Sequence, residues 1–337
     1  MVDQISDGGE FGRFVNVCLT IITSLTYCYF ISRNIPKGFP RLTSVLPIIY
    51  IFILLPINLS SILLNLAIGF STSWLSNFKL ILFSFDAGPL SSDPPLLSSS
   101  PSSSSMTLVR FLCIACLPIK LKQSKPSSQP SGNIHAHGLK CYYALEGFLL
   151  GLTIYVYGYY QQCHYKPNFI IINFLYFFVM CFSIEPSLVA CYALARFLFG
   201  LDVELPFNFF FLSTSFHDFW GRRWNLVSSN ILRLMVYKPV RHIFKRSWGK
   251  YVAILATFFV SGLMHELLFF YIDWQKPCWD ILGFFILHGV CVAVEIKVKQ
   301  SLKGKWQLNQ FISTQLVTGF FVCSCFGLIF PSVERYI

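Results

Sequence analysis

Long apolar runs recur along the chain near 14–31, 42–69, 145–161, 169–184, 187–201, 205–216, 251–272, 281–296 and 309–330. A helix that crosses a bilayer needs about 20 apolar residues. Backbone N–H and C=O groups cannot be left unpaired in lipid, so such runs must close their own hydrogen bonds as helices. The expected fold class is therefore all-α: a polytopic membrane protein of about 8–10 transmembrane helices, with short re-entrant or interfacial helices around a central chamber. Only 12% of residues are charged and 55% are hydrophobic. A soluble globular chain carries about twice that charged fraction, so that class is excluded.

The runs are not uniform. The 42–69 stretch contains Pro47 and Pro56 and is expected to kink or split. The 205–216 stretch is too short to span and is expected to be a helix buried among others. Two further pieces, 74–85 and 108–119, read as re-entrant or interfacial. "SSDPPLLSSSPSSSS" (Ser91–Ser105) and "KQSKPSSQPSGN" (Lys122–Asn133) have too little apolar surface to order and read as disordered loops. This divides the chain into N-terminal transmembrane helices (1–85), a Ser/Pro-rich region (86–140) and a core (141–337).

The formal charge is +11. It does not point to nucleic acid, because the cations sit in short loops between apolar runs, as the positive-inside bias requires. Segment 217–250 has one acid, Asp218, against a row of Lys and Arg, and 297–305 is also basic. Both are expected in the cytosol, with 273–280 in the lumen. Asp3, Asp7 and Glu10 precede the first run, where a signal peptide would be positive, so that run reads as a retained helix. Most of the 12 cysteines fall inside apolar runs. Cys113 and Cys116 form a lone CxxC without a partner pair, and buried thiols are expected rather than a disulfide or zinc framework.

"FVSGLMHELLFF" (Phe259–Phe270) places His265 and Glu266 in an apolar helix, roughly 22 Å from its cytosolic end at 1.5 Å per residue. Ionisable groups at that depth are costly and must face protein or a cavity. Gly262 and Ser261 share the face of His265. They leave room beside the imidazole for a neighbouring helix or a substrate chain. Glu266 points about 100° away and is expected to pair with another helix. A purely structural histidine, with Gly262 as a packing notch, fits the stretch equally. Zinc-protease chemistry does not, because position i+4 of "HELLF" is Phe269. GxSxG and HxxxxD arrangements are absent.

"STSFHDFWGRRWN" (Ser213–Asn225) combines His217, Asp218, Trp220, Arg222, Arg223, Trp224 and Asn225. Two readings stand: an interfacial Trp/Arg anchor, or arginines that meet phosphates beside an inward hydrogen-bonding Asn225. The following "LVSSNILRLMV" has helical apolar spacing and is expected to lie in the interface. Lys238 and Arg241 extend the basic segment and would attract a phosphate-bearing substrate. His288, in "ILHGVCVAVE", is expected to make an interhelical hydrogen bond, with a supporting role near the site as the alternative.

"FWGRRWN", followed 40 positions after its Asn by the His of "FFVSGLMHE", resembles the membrane-bound O-acyltransferases. "FDAGPL", "FLCIACLPIK", "ILRLMVYKPVR" and "ILHGVCVAVE" resemble the plant wax synthase branch, the long-chain-alcohol O-fatty-acyltransferases, and the likeness runs over nearly the whole chain. The resemblance implies transfer of an acyl group from fatty acyl-CoA to a long-chain alcohol, or to a sterol, in the endoplasmic reticulum membrane. It carries the catalytic positions onto His265 and Asn225, and it implies acyl-CoA as co-substrate with no bound cofactor and no metal. With acyl-CoA as the phosphate-bearing substrate that the resemblance implies, Arg222, Arg223, Lys238 and Arg241 are expected at its head group, with Trp220, Trp224, Ser261, Gly262, Glu266 and His288 nearby. A transporter is the competing class, since intramembrane His and Glu also mark ion paths. No inverted repeat or broken helix pair supports it. A non-catalytic scaffold is a third reading, opposed by the intact Asn225 and His265.

Overall fold

The computed structural model describes residues 7–91, 106–122, 134–162, 169–273, 277, 279–302 and 308–331. In order, its helices are α1 (Asp7–Phe30), α2 (Phe39–Leu54), α3 (Ile62–Ile68), α4 (Asn77–Ser84), α5 (Leu108–Cys116), α6 (Ile134–Gln162), α7 (Phe169–Phe199), α8 (Phe216–Asp218), α9 (Leu226–Leu232), α10 (Lys238–Ile243), α11 (Gly249–Asp273), α12 (Asp280–Leu302) and α13 (Gln310–Ser324). Among the described residues, seven helical segments are long and apolar enough to cross a bilayer. The protein is an all-α, multi-pass membrane protein. Its one described strand pair is minimal: Lys120–Leu121 lies antiparallel to Val203–Glu204. Most of the Ser/Pro-rich stretches at 91–105 and 122–133, and half of the 273–280 loop, lie outside the described residues.

The 42–69 run does split. A tight turn over Leu55–Asn58, with Pro56 inside it, ends the α2 span before α3 begins at Ile62. The 74–85 piece is not re-entrant but the second half of a span, Ile62–Ser84, in which a wide π-helical turn over Gly69–Ser76 joins α3 to α4. Thr72, Ser73, Ser76, Asn77 and Lys79 lower the hydropathy of this stretch, yet all are buried in protein. Lys79 Nζ donates to the carbonyls of Ile114 and Leu117, 2.7 Å each, at the end of α5. A cation is favourable at that helix terminus.

The runs 169–184 and 187–201 form one helix, α7, which continues through Pro186. Neighbouring helices and hydroxyls tolerate proline in membrane helices. The 205–216 stretch is neither a helix nor buried throughout: Phe207, Phe210 and Ser213 are buried, but Phe209 and Leu212 are exposed. Only Phe210–Leu212 makes a turn. The rest is pinned by Arg223, whose Nη1 donates to the carbonyls of Asn208 and Phe209.

Three apolar clusters hold the fold. One joins α1, α2 and α5, a second joins α7, α12, α13 and the 207–219 stretch. The third brings Trp74, Leu75 and Phe78 against Val227, Ile231, Leu232, Leu268 and Tyr271. This third cluster corrects the expectation for 226–236 in one respect: the apolar face of α9 packs on protein, between the N-terminal span and α11, and not on lipid. α11 and α12 form the closest long pair. A Cβ on Gly262 would come within 2.7 Å of Leu282 Cδ1 and 3.1 Å of its Cα, and one on Gly289 within 2.9 Å of Phe258 Cβ. Each helix therefore has a notch that receives a side chain of the other.

Candidate active site

His265 lies in the C-terminal half of α11, where its ring stacks on Phe285 (centroids 4.2 Å apart, planes at 28°) and packs edge-to-face with Trp74 (4.9 Å). Its Nδ1 is 2.7 Å from the Ser261 carbonyl oxygen. A carbonyl can only accept, so Nδ1 carries the proton and Nε2 keeps its lone pair. The helix itself thus sets the tautomer, through a residue one turn back.

Asn225 sits at φ 37°, ψ 67°, a left-handed conformation that asparagine tolerates better than most residues. Its Oδ1 accepts the Ser228 N–H at 3.1 Å and caps α9. Oδ1 is thereby committed, and the side chain's donor, Nδ2, is left for another partner. Both residues line the same cavity, of about 530 Å³, together with Trp220, Trp224, Ser228 and Ser229. The serine face of α9 therefore turns to the cavity while its apolar face packs on Trp74 and Tyr271. A half-buried imidazole with an open Nε2 can take a proton from a hydroxyl. A fixed amide donor in the same chamber can stabilise negative charge on oxygen.

A sequence profile of the Membrane bound O-acyl transferase family matches residues 204–287, which include both residues. The chain is 39% identical over 334 residues to "Probable long-chain-alcohol O-fatty-acyltransferase 9" of Arabidopsis thaliana, covering 97% of this chain and 92% of that protein. It is 37% identical to "Long-chain-alcohol O-fatty-acyltransferase" of Simmondsia chinensis, over 97% of this chain and 91% of that protein. The chain belongs to the membrane-bound O-acyltransferase family. A further relative, 36% identical over 96% of this chain and 90% of its own length, is "Acyl-CoA--sterol O-acyltransferase 1" of Arabidopsis thaliana.

The other expected site residues of this O-acyltransferase divide into two groups. Arg222, Trp220, Trp224 and Ser261 line the cavity. Arg223 does not: its Nε donates to Asp218 at 2.6 Å, and it holds the 208–209 backbone in place. Lys238 and Arg241 also lie outside the lining, and Arg241 donates to the Phe244 carbonyl. The lining cations are Lys120, ion-paired with Glu204, together with Arg222 and Arg233. Of the two readings of Gly262, a gap for a substrate chain or a notch for a neighbouring helix, the structure has the notch: Leu282 of α12 fills the space beside it.

Glu266 pairs with another helix as expected. Its Oε1 accepts the Leu282 N–H at 3.0 Å in the first turn of α12, where a carboxylate complements the helix dipole. His288 makes the expected interhelical bonds on both ring nitrogens. Trp220 Nε1 can only donate, so His288 Nδ1 accepts it at 3.1 Å. Nε2–H then donates to Ser324 Oγ at 2.9 Å. With no free nitrogen, His288 orients Trp220 in the cavity wall. Glu295 accepts the N–H groups of Phe216 and His217 and so anchors α8.

Trp74 and Lys120 enter this cavity from upstream of 141–337, where the core was expected. A tryptophan inside a polar-interrupted apolar run gave one usable sign for the first. Nothing in the sequence marks Lys120.

Proposed function

We propose that the protein makes wax esters by transferring the acyl group of fatty acyl-CoA to a long-chain alcohol in the endoplasmic reticulum membrane, with basic segment 217–250 on the cytosolic side. The observation that carries this reading is the convergence of His265 and Asn225 on one chamber. In the proposed reaction, His265 Nε2 takes the alcohol proton as the oxygen attacks the thioester carbon. Asn225 Nδ2 donates to the former carbonyl oxygen while it is charged. The C–S bond then breaks and the CoA sulfur takes the proton back from His265. Arg222 and Arg233 attract the phosphates of CoA at the mouth. The acyl and alcohol chains reach the chamber from the surrounding membrane lipid, and its aromatic walls disfavour water, which would give hydrolysis instead of an ester.

Acyl transfer to a sterol is the second reading, favoured by the 36% identity to a relative named for that activity. One experiment separates the two. Microsomes containing the protein receive labelled fatty acyl-CoA with fatty alcohols, sterols and diacylglycerol in parallel. Wax ester is the expected product, and His265→Ala, correctly inserted, is expected to form none. A sterol ester as main product replaces the first reading with the second. Undiminished ester from the alanine variant removes His265 from the reaction.

A further inference from the structure

A second cationic surface stands off the chamber, over α10 and the loop that leads into α11. It carries Lys238, Arg241, Lys245, Arg246 and Lys250, and the acids nearest to it in sequence are Asp218 and Glu266. Among the described residues none of these five cations makes an ion pair. Arg241 and Lys250 meet neutral groups instead, the Phe244 carbonyl and Gln300 Oε1 of α12. Glu295, five residues before that contact on α12, is taken by Lys299 and the N–H groups of Phe216 and His217. None of the five cations lines the chamber.

The side chains interleaved with these charges are large, apolar and exposed: Ile243 by 71%, Phe244 by 37% and Trp248 by 45%. The backbone that presents them is fixed. Phe244 N–H donates to the Val240 carbonyl and Gly249 N–H to the Arg246 carbonyl, 2.9 Å each. Gly249 abuts the Phe244 carbonyl so closely that a Cβ has no room, and the Phe244 and Trp248 rings pack 5.4 Å apart. A fixed loop that exposes an aromatic pair among unpaired cations suits the headgroup layer of a bilayer, where rings enter the apolar boundary and cations meet phosphate. The loop has that position, because the span Gly249–Ile272 begins directly after Trp248.

We propose that residues 238–250 bind the headgroups of anionic phospholipids in the leaflet at this end of α11. Ile243, Phe244 and Trp248 insert at the acyl boundary, and Lys245 and Arg246 meet the headgroup anions. The lipid class follows from charge: a zwitterionic headgroup brings an ammonium beside its phosphate, and five cations without an acid favour net negative lipid. An acidic soluble protein would have to draw Trp248 away from a bilayer that starts at the next residue. The two basic surfaces then have separate partners, with Arg222 and Arg233 facing the chamber and this loop facing lipid. The inference goes beyond the acyl-transfer reading and does not depend on it.

The test uses the full chain in nanodiscs of phosphatidylcholine with a minor share of phosphatidylserine. Bromine on the acyl chains of one lipid or the other quenches nearby tryptophan, and the difference between the wild type and Trp248→Phe isolates the signal of Trp248. Brominated phosphatidylserine is expected to quench Trp248 more than brominated phosphatidylcholine at equal mole fraction. Lys245→Gln with Arg246→Gln is expected to lower that preference by about fivefold per charge, about 1 kcal/mol each. Arg33→Gln with Lys37→Gln, an equal charge loss in the loop before α2, is expected to keep it. At about 1 M salt, where charges are screened beyond about 3 Å, the preference should vanish while both lipids still quench. Excess free CoA, a soluble source of phosphate, is expected to leave the preference unchanged. Equal quenching by the two lipids at low salt, a Trp248 that neither lipid quenches, loss of the preference on adding CoA, or an equal loss in both double variants overturns the proposal. A protein that makes no ester but keeps the lipid preference removes the acyl-transfer reading and leaves this inference standing.

Discussion

Asn225 uses the two ends of one amide differently. Oδ1 caps α9 through the Ser228 N–H, and the backbone occupies a left-handed conformation. Aspartate satisfies both demands, because it caps as well as asparagine and tolerates that conformation. It cannot supply the Nδ2 donor, and it would place a negative charge where the oxyanion forms. Asn225→Asp is therefore expected to fold with a melting temperature close to the wild type but to lose about 10²–10³-fold in kcat. Asn225→Ala is expected to lose kcat and also stability, by about 1 kcal/mol from the missing cap. Thermal melting in detergent alongside steady-state kinetics separates the two effects. An Asp variant within about threefold of wild-type kcat would remove the amide from the proposed oxyanion site. In the sequence, Asn225 and His265 were singled out as a pair by the resemblance of "FWGRRWN" and "FFVSGLMHE"; taken alone, each fitted a structural role as well. The hydrogen bonds that set their roles were not legible, since the Ser261 carbonyl and Ser228 N–H are backbone groups with no sequence signature.

At the scale of elements, α11 and α12 meet through reciprocal notches, Leu282 over Gly262 and Phe258 over Gly289. Glu266 fastens the start of α12 to the same helix. A methyl at either glycine meets a neighbour closer than ordinary contact, and overpacking of that kind costs about 1–3 kcal/mol. The two sites should differ in function. Phe258 lines the cavity, whereas Leu282 does not. Gly289→Ala is thus expected to press Phe258 toward the chamber and narrow acyl-chain selectivity toward shorter chains, while Gly262→Ala, whose Cβ would meet Leu282 and stand 3.2 Å from the Cβ of the Phe285 that stacks on His265, is expected to lower the melting temperature and kcat with chain-length selectivity kept. Ester yields across acyl-CoA chain lengths, beside melting curves, check this. Equal selectivity in the two variants would contradict it. The small residues beside His265 were visible in the sequence, but a small face is compatible with an open approach and with a packed one, and only the neighbouring helix decides. Hydropathy failed for a related reason at 62–84. Lys79 and the hydroxyls of the wide turn are paired inside protein, so a scale calibrated on lipid exposure misreads them.

For the whole molecule, the distribution of charge determines how a polyanionic substrate finds a site embedded among apolar helices. Segment 217–250 is basic throughout, and that bias was plain in the sequence. Which cations matter was not, because proximity to the cavity depends on how α9, α10 and the Lys120–Glu204 strand pair fold back over one another. Arg222 and Arg233 line the chamber, Arg223 is spent on Asp218 and the 208–209 carbonyls, and Lys238 and Arg241 stand off the lining. If the CoA phosphates rest at the mouth, Arg222→Ala and Arg233→Ala should each raise KM for acyl-CoA about tenfold, corresponding to about 1.4 kcal/mol of a charge-assisted contact. KM for the alcohol should stay unchanged, because the alcohol carries no charge for these groups to meet. Lys238→Ala and Arg241→Ala contribute only to the long-range field, which is largely screened beyond about 10 Å at 0.1 M salt. Their effect on KM is expected to be within about twofold at that ionic strength and to grow as salt is lowered. Kinetics of the four variants at two salt concentrations check the assignment. A KM penalty that is equal across all four, or that appears for the alcohol as well, would show that the basic segment acts as a membrane anchor and not as the seat of the CoA head group.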